Sequence, residues 1–505
     1  MPSYLSPGVY VEEVSSGSKP IEGVGTAICA FVGFAGQGPV NEPVLVTNWT
    51  QFSQTFGEFV EGSYLAHSVY GYFLNGGGAA YVVRLPDVEP DVAAQHATAQ
   101  LSAAGSTKRT ALTVRTLTAG QDGNALGVEV SQAADGTFRL TVKRGSRPVE
   151  SHDAVTLSPG PRNIADVLRR DSRLIEVQQF EPALAPAAGE VRLSGGTGSD
   201  DPTSLNPEVF IGSAADRTGL AGLEAVDEIT MLAIPDLMAC HRRGLVDEDG
   251  VKAVQLAMIA HCELMGDRVA VLDTPHGLSA QKVQGWRVDT TGYDSKYAAM
   301  YWPWLNVLDP VSGKPSLLPP SGHVAGVWAR SDDTRGVHKA PANEVVRGAL
   351  SLELALTRGE HDRLNPIGVN CIRAFPGQGI RVWGARTLSS DPEWRYLNVR
   401  RLFNFVEKSI LQGTSWVVFE PNDPKLWDSV KRTITMFLRG VWRDGALFGQ
   451  TPAEAFYVKC DEENNPADSR DQGLLVVEIG IAAVKPAEFV VFRISQFADG
   501  ASLDE

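Results

Sequence analysis

The sequence has few cysteines, no long apolar run and no recognisable export signal. Its five cysteines are scattered through 505 residues without a C-x-x-C pair, which excludes a disulfide framework and is typical of a reducing compartment. No apolar run reaches the roughly 18 residues that a membrane-spanning helix requires. The chain begins Met1-Pro2-Ser3-Tyr4, without the basic and apolar regions of a signal peptide. We therefore expect synthesis in the cytosol and no direct partner in a membrane.

Nucleotide-binding and hydrolytic motifs are also missing. The sequence contains no G-x-x-x-x-G-K-[ST], no G-x-S-x-G and no H-E-x-x-H, the signatures of P-loops, serine-hydrolase elbows and zinc proteases. Gly33, Gly36 and Gly38 follow a predicted strand, but their order differs from the dinucleotide-binding fingerprint and indicates a loop. These absences predict a protein that is not an enzyme and needs no cofactor.

Two polar clusters could still carry chemistry. Four nominal zinc ligands occur as adjacent pairs, Cys240-His241 and His261-Cys262. Structural zinc sites separate paired ligands by two to four residues, so we expect no metal here. The second cluster, Asp332 and Asp333 between Arg330 and Arg335, resembles the paired carboxylates of glycoside hydrolases. Adjacent carboxylates usually point apart, and the arginines would lower their pKa, so we expect a salt-bridged structural loop.

Charge is unevenly distributed along the chain. With 45 Lys and Arg against 60 Asp and Glu, the net charge is −15. This argues against nucleic acid as the main partner, because phosphate contacts need clustered cations. Residues 394–445 differ, with nine basic and five acidic side chains, a local charge of +4. The nine are Arg395, Arg400, Arg401, Lys408, Lys425, Lys431, Arg432, Arg439 and Arg443.

The sequence pattern predicts a multidomain α/β (α+β) protein with an inserted β-rich domain and extended β-strand arms at both ends. Helix and strand patterns alternate in the α/β part, whereas the insert is rich in Ala, Thr, Gly and short alternating runs. The predicted parts are an arm at 1–22, an α/β domain at 23–85 plus 202–370, the insert at 86–201, a C-terminal domain at 371–484 and an arm at 485–505.

The C-terminal domain contains two well-delimited predicted helices. One begins at Asp391-Pro392, an N-cap followed by proline at the first helical position, and ends near Gly413. The next begins at Asp423-Pro424 and ends before Gly445. Shorter strands follow, and the last predicted strand covers residues 488–497.

That last strand is apolar on both faces. Alternation places Phe489 and Val491 on one side and Val490, Phe492 and Ile494 on the other, a pattern typical of a strand buried on both faces. An unpaired apolar strand at a sheet edge promotes aggregation. Donating the strand to a neighbour's sheet would remove that hazard and build a polymer. The alternative is that the strand folds onto its own domain.

The N-terminus carries a second candidate donor strand. It comprises Val9, Tyr10, Val11, Glu12 and Glu13, and a Gly/Ser link follows it. A five-residue strand adds about five hydrogen bonds at a net ~0.5–1.5 kcal/mol each, a modest sum against the entropy of association. Two arms per subunit, repeated through a lattice, would hold collectively.

Motifs spread along most of the chain resemble one protein family. They are SPGVYVEE at residues 6–13, RTGL at 217–220, AAMYWPW at 298–304, PPSGHVAG at 319–326, RGVHKAPAN at 335–343, LNPIGVN at 364–370, VWGART at 382–387 and WRY at 394–396. With the ending at 479–497 they resemble the contractile tail sheath proteins of bacteriophages, pyocins and extracellular contractile injection systems. The insert at 86–201 matches poorly, as expected for a variable outward decoration.

The resemblance implies a structural polymer assembled in the bacterial cytoplasm as part of a phage tail or phage-tail-like particle. Its hexameric rings would stack around an inner tube, meet baseplate and terminal cap proteins, and contract to drive the tube into a target. The two termini would be the inter-subunit connectors, and the C-terminal domain would face the tube. We expect Lys431, Arg432 and Arg439 to contact an acidic tube; a solvated helix face is the alternative.

Two further classes stay open on the residues. A particle-bound carbohydrate-active hydrolase would need a convergent acid/base pair and an export signal. A non-contractile tube or shell protein should be shorter and lack terminal donor strands.

Overall fold

The computed structural model describes residues 20–86, 95–119, 121–132, 136–180, 183–196 and 205–493. The chain divides into two compact units. One consists of Met1–Pro86 with Asn206–Glu505, and the other of Asp87–Leu205. The predicted mixed α/β architecture is confirmed, and no helix of the described ranges is long and apolar enough to cross a membrane.

The secondary structure in chain order is as follows. The strands are β1 (Ile28–Gly33), β2 (Val44–Val46), β3 (Ala79–Arg84), β4 (His96–Ala103), β5 (Ser106–Ala119), β6 (Leu126–Gln132), β7 (Phe138–Arg144), β8 (Arg147–Val155), β9 (Ile175–Gln179), β10 (Gly189–Arg192), β11 (Met231–Ala233), β12 (Val269–Asp273), β13 (Ala298–Trp302), β14 (Leu305–Leu308), β15 (Pro315–Leu318), β16 (Glu344–Val345), β17 (Ala349–Leu352), β18 (Val369–Phe375), β19 (Gly379–Val382), β20 (Phe456–Lys459) and β21 (Glu478–Ile481). The helices are α1 (Trp49–Phe56), α2 (Leu65–Asn75), α3 (Ile164–Asp171), α4 (Glu208–Ile211), α5 (Pro235–Arg242), α6 (Glu248–Met265), α7 (Ala280–Gly285), α8 (Ser321–Arg335), α9 (Arg358–Leu364), α10 (Leu397–Gly413), α11 (Pro424–Arg443), α12 (Pro452–Ala455) and α13 (Ala467–Asp471).

A nine-stranded sheet organises the larger unit. Its order is β16-β19-β18-β13-β12-β11-β1-β3-β2. The six central strands are parallel, and antiparallel strands close both ends. The central strands are almost continuously buried, as expected for a parallel sheet covered on both faces. Apart from this sheet, β15-β14-β17 and β20-β21 form two small antiparallel sheets.

Helices α2 and α8 pack against each other at unusually short range. A Cβ atom added at Gly322 would lie 2.5 Å from the Ser68 backbone, and one at Gly326 would lie 2.4 Å from the Tyr72 carbonyl oxygen. Only glycine fits such an approach between two helix backbones. The PPSGHVAG stretch therefore serves helix packing in the core.

Two buried aspartates cap these helices from distant parts of the chain. Asp236 accepts hydrogen bonds from the backbone N–H groups of Tyr64 and Leu65 at the start of α2. Asp273 accepts from the backbone N–H and hydroxyl of Ser321 at the start of α8, at 2.9 and 2.5 Å. Burial raises the pKa of Asp236 to about 6 and that of Asp273 to about 7, although the hydrogen bonds oppose the rise.

Asp273 makes stability depend on pH. The pKa of an unfolded aspartate is about 3.9, so the folded chain binds more protons between about pH 4 and pH 7, and stability falls as the pH rises through that window. Asp273→Asn stays neutral, accepts from the Ser321 N–H and can donate to its hydroxyl. Between pH 5 and pH 8 the wild-type melting temperature should therefore fall at least about 2 °C more than that of the variant. Equal falls in both chains by calorimetry would contradict this assignment.

Helices α10 and α11 and the β20-β21 hairpin form a second core in the larger unit. Ile21 packs against Gly413 at the end of α10, and Trp427 and Val430 of α11 join the same cluster. Helix α11 begins as predicted, because the Asp423 side chain accepts the N–H of Leu426. The predicted start of α10 at Asp391 is wrong: residues 391–394 form a turn in which Asp391 accepts the N–H of Glu393, and the helix begins only at Leu397.

Three cations of the +4 segment are buried in this core region. Arg401 forms a salt bridge with Asp332 at 2.5 Å, and each side chain is only 4% exposed. Arg400 pairs with Glu407, and Lys408 pairs with Asp267. The predicted salt bridge at Asp332 is confirmed, but the predicted loop is wrong, because Asp332 lies on α8. Its partner is Arg401 rather than a neighbouring arginine. Three of the nine cations that give residues 394–445 their positive charge are therefore buried and paired within the chain.

The smaller unit is built mainly from short antiparallel strands. Strands β10-β6-β7-β8 form one sheet and β4-β5-β9 another, with the single helix of its described residues, α3, beside them. Alternate side chains face a common core that includes Leu112, Val128, Leu140 and Ile164. The unit covers Asp87–Leu205, whereas the sequence predicted an insert at 86–201.

Candidate interaction surface

The C-terminal segment, defined as residues 485–493, has no strand partner among the described residues. Phe489, Val490, Val491 and Phe492 are 73%, 68%, 77% and 84% exposed. The predicted strand at 488–497 is therefore not formed within one chain over its described part. Four consecutive large apolar side chains facing solvent indicate an interaction site.

Glu488 holds the base of this segment on the larger unit. Its carboxylate accepts two hydrogen bonds from the Arg386 guanidinium, at 2.8 and 2.7 Å, and further bonds from Asn365 and Tyr396 at 2.8 and 3.1 Å. Burial alone would raise the pKa of Glu488, but the bonds from Arg386 and Asn365 leave it below its usual value. The segment is thus fixed at residue 488 and exposed immediately after it.

The β20-β21 hairpin is an incomplete sheet. The two strands pair in antiparallel register, Phe456 with Ile481 and Lys459 with Glu478. Among the described residues no third strand pairs with either of them. Tyr457 and Phe448 beside the hairpin are exposed. Its outer edges are open among the described residues, which makes the hairpin a candidate acceptor of additional strands.

Helix α11 presents basic side chains to solvent. Lys431, Arg432 and Arg439 are exposed, while Trp427, Val430, Ile434 and Leu438 on the opposite side are buried. Arg432 and Arg439 lie two helical turns apart and so share one face, with Lys431 to its side. In the described ranges none of the three forms an ion pair. The predicted tube-facing residues are therefore available to a partner.

Part of the predicted connector lies outside the described residues. This applies to Val9, Tyr10, Val11, Glu12, Glu13 and Ile494. The structure therefore describes Phe489, Val490, Val491 and Phe492 of the connector set.

The cysteine–histidine pairs and Asp332, which were considered for metal binding and hydrolysis, are engaged in the packing of the chain. All five cysteines are free and buried, and burial raises the pKa of Cys240 to about 12. No group of three or more potential metal ligands occurs in the described part of the chain. Asp332 is engaged by Arg401 and by the Thr26 hydroxyl, so it does not form the carboxylate pair that the hydrolase alternative requires.

Two features of the C-terminal region were not predicted from the sequence: the Glu488–Arg386 pair and the burial of Arg400 and Arg401. Nothing in a single sequence pairs Glu488 with Arg386, which lies 102 positions earlier. A signal was nevertheless present, because both residues belong to stretches singled out for their resemblance to sheath proteins. The burial of Arg400 and Arg401 was missed because charge counting does not distinguish internal from external cations.

Comparison with known families gives matches along the second half of the chain. Residues 226–388 match the phage tail sheath protein central domain. Residues 389–497 match the phage tail sheath C-terminal domain. Together these matches cover most of the α/β part and the whole described C-terminal region.

Individual relatives are tail sheath proteins. The tail sheath protein of Burkholderia phage BcepMu is 24% identical over 96% of this chain and 95% of its own length. The tail sheath protein of Vibrio phage KVP40 is 24% identical over 70% of this chain, but that match spans only 54% of the phage protein. A putative prophage major tail sheath protein of Pseudomonas aeruginosa strain UCBPP-PA14 is 28% identical over 56% of this chain and 70% of its own length.

Solved structures with a similar fold come from contractile particles. The helical sheath of the anti-feeding prophage in the contracted state aligns over 98% of this chain and 100% of that chain, with 25% identity and a TM-score of 0.59. The sheath complex of the extracellular contractile injection system PVC, also contracted, aligns over 98% and 99% with 22% identity and a TM-score of 0.58. At 22% identity, the similarity to the PVC sheath shows that the two proteins share a fold.

Proposed function

Because the chain belongs to the contractile tail sheath protein family, we propose that it polymerises as stacked hexameric rings around an inner tube and contracts to drive that tube into a target. The chain is a structural subunit of such a sheath and a component of a phage tail or tail-like particle. The observation that carries the proposal is the exposed apolar segment at Phe489–Phe492 beside the incomplete β20-β21 sheet.

In this proposal each C-terminal segment completes the β20-β21 sheet of a neighbour. Two observations support it: the segment is unpaired in the single chain, and the hairpin has open edges. Adding a strand buries the four exposed apolar side chains and satisfies backbone groups on both partners. The N-terminal Val9, Tyr10, Val11, Glu12 and Glu13 form the second connector. Two connectors per subunit multiply weak contacts through the lattice.

Contraction draws on the difference in packing free energy between two lattices of the same subunit. No nucleotide or cofactor enters this step. The anchor at Glu488 supports such a mechanism, because it fixes the start of the arm while Phe489, Val490, Val491 and Phe492 are exposed to a partner. The other partners are the baseplate and terminal cap proteins of the particle. Neither nucleic acid nor a membrane is a direct partner.

The basic face of α11 is the proposed contact with an acidic inner tube. Reversing all three charges, in Lys431→Glu, Arg432→Glu and Arg439→Glu together, replaces attraction by repulsion across that contact. We expect the variant to fold and to form empty cylinders, whereas the wild-type chain coexpressed with its inner tube protein forms sheathed tubes. Electron microscopy counts both species.

A matched control reverses the same number of charges on the smaller unit. Arg144, Arg147 and Arg169 are exposed there, and their replacement by Glu should leave sheathed tubes intact. Full-length sheathed tubes from the α11 variant at low ionic strength, where the repulsion is least screened, would rule out the tube contact. A wild-type chain that stays monomeric would refute the sheath function itself.

A further inference from the structure

The loop between α10 and α11 exposes an aromatic side chain. Phe419 is fully exposed, and Val418 before it is 66% exposed. Leu474 is 50% exposed and lies beside the same loop, because its carbonyl oxygen accepts a hydrogen bond from the Asn422 side chain at 2.9 Å. Exposed apolar side chains gathered in one place indicate a contact with another molecule.

Phe419 occupies a turn position that is unfavourable for phenylalanine. The Glu420 N–H donates to the Val417 carbonyl oxygen at 3.1 Å and closes the turn. Val418 has φ −64° and ψ 128°, and Phe419 has φ 68°. These angles are those of a type II turn, whose third residue is usually glycine because its φ must be positive, and a bulky residue there is strained. Folding alone would therefore favour glycine at 419, which points to a role for the ring outside the single chain.

The larger unit also has an open cleft that is apolar on one wall. This α11 cleft, of about 960 Å³, is lined by residues 23–27, by residues 332–338 and by side chains of α10 and α11. Met436 and Phe437 belong to the apolar wall, and Met436 is 58% exposed. A Cβ atom added at Gly440 of α11 would meet nothing within 4 Å among the described residues. The cleft is therefore open in front of α11 and has room for an aromatic ring.

Charge indicates which partner suits this contact. Glu420 is exposed next to Phe419, and Arg335 is an exposed cation that lines the cleft. In the described ranges neither Glu420 nor Arg335 forms an ion pair. Asp333 and Asp444 also line the cleft, so Arg335 orients the incoming loop and the ring supplies the affinity. The inner tube proposed above is acidic and would repel Glu420, whereas a second copy offers Arg335.

We propose that Phe419 of one copy inserts into the α11 cleft of a second copy, and that Glu420 of the first copy then meets Arg335 of the second. The inference rests on the proposed function, in which copies of the chain polymerise, and adds a contact that involves neither terminal arm. Insertion buries an aromatic ring that the single chain leaves in water. Turn and cleft are different parts of the chain, so the contact is heterologous and can repeat from copy to copy along a helical polymer.

Phe419→Gly tests the turn. Glycine adopts positive φ without strain, so the monomer should melt at a temperature no lower than that of the wild-type chain. Without the ring, the protein concentration needed for polymerisation should rise at least about tenfold, as expected for the loss of an interface anchor. Sedimentation measures that concentration, and calorimetry on dilute protein measures the melting temperature. Leu264→Ala, at a residue of α6 that is 72% exposed, is the control and should polymerise like the wild-type chain.

Gly440→Leu tests the cleft from the other side of the contact. Leucine favours a helix more than glycine does, so this variant too should melt no lower than the wild-type chain. Its side chain fills the space in front of α11, and polymerisation should again require at least about tenfold more protein. Gly440→Ala is the matched control, because it improves the helix in the same way but leaves the cleft open. It should polymerise at the wild-type concentration.

A disulfide between copies locates the contact. One tagged chain carries Glu420→Cys and a differently tagged chain carries Arg335→Cys; the five native cysteines are buried and do not compete. Oxidation of mixed cylinders should join the two tags. Cylinders in which the tags are never joined would contradict insertion into this cleft.

The outcomes separate this contact from the proposed function. Normal cylinders from Phe419→Gly or Gly440→Leu at the wild-type concentration would overturn the inserted ring and leave the sheath function standing. Normal cylinders that lose only the inner tube on coexpression would overturn it as well, because Phe419 would then meet the tube. A lower melting temperature in both variants would assign the two residues to the fold instead. A wild-type chain that never polymerises would refute both proposals.

Discussion

Changing Phe489 and Val491 to serine should leave the chain folded but abolish its polymerisation. Both side chains face solvent in the single chain, at 73% and 77% exposure, so their loss costs the monomer almost nothing. In the polymer they are proposed to lie on one face of a strand added to a neighbour's hairpin. Burying them there contributes roughly 1.5–3 kcal/mol per side chain at every subunit. Sedimentation and electron microscopy measure the loss of cylinders.

The matched control removes an equally exposed apolar side chain elsewhere. Leu264, near the end of α6, is 72% exposed, and Leu264→Ser should polymerise like the wild-type chain. Calorimetry should give the same melting temperature for all three proteins. Normal cylinders from the Phe489→Ser, Val491→Ser chain would remove the C-terminal segment from the assembly.

Arg401→Met should destabilise the chain more than any surface change. The Arg401–Asp332 salt bridge is buried, the guanidinium stacks on Trp328 at 4.9 Å, and it also donates to the Thr26 carbonyl. Removing one partner leaves an uncompensated buried carboxylate, which costs about 3–5 kcal/mol. Chemical denaturation measures this loss in the free energy of unfolding.

A double-mutant cycle distinguishes the contribution of the Arg401–Asp332 charge pair to the free energy of unfolding from a general loss of packing. Asp332→Leu combined with Arg401→Met removes both charges and should recover most of the stability lost in the single variant. Arg439→Ala, an exposed cation on the neighbouring helix α11, should leave the free energy of unfolding unchanged within about 0.5 kcal/mol. Equal losses in the single and double variants would show that the charge pair contributes nothing specific.

Local patterns predicted the elements that depend on local chemistry. Strand β12 follows from local sequence, because Val269, Ala270, Val271 and Leu272 form an unbroken apolar run that is typical of a buried strand. Helix α11 was predicted at its first residue because Asp423 caps the helix and Pro424 fits its first turn. The mixed α/β architecture followed from alternating helix and strand patterns.

The sequence did not predict one ambiguous helix start or the pairings between residues that are distant in the chain. The start of α10 was misplaced because an Asp-Pro pair also suits a turn, and here Asp391 caps a turn six residues before Leu397. Helices α2 and α8 are capped by Asp236 and Asp273, which are remote in sequence. The buried state of Arg401 depends on an aspartate 69 positions away. Such pairings follow from tertiary packing.

The end of the chain carries an apolar pattern that the single chain does not bury. Alternation predicted a strand buried on both faces, yet in the single chain the same residues are exposed and unpaired. The pattern and the structure agree if burial occurs in the polymer. Under the proposed function, the pattern therefore predicts contacts that one copy alone does not make.

A reconstruction of cylinders formed by the full chain, at a resolution that traces side chains, tests this account most directly. It should contain a strand through Phe489–Phe492 hydrogen-bonded to the β20-β21 hairpin of a different subunit, with Glu488 still on Arg386 of its own. A polymer in which that strand turns back and pairs with its own hairpin would contradict the account.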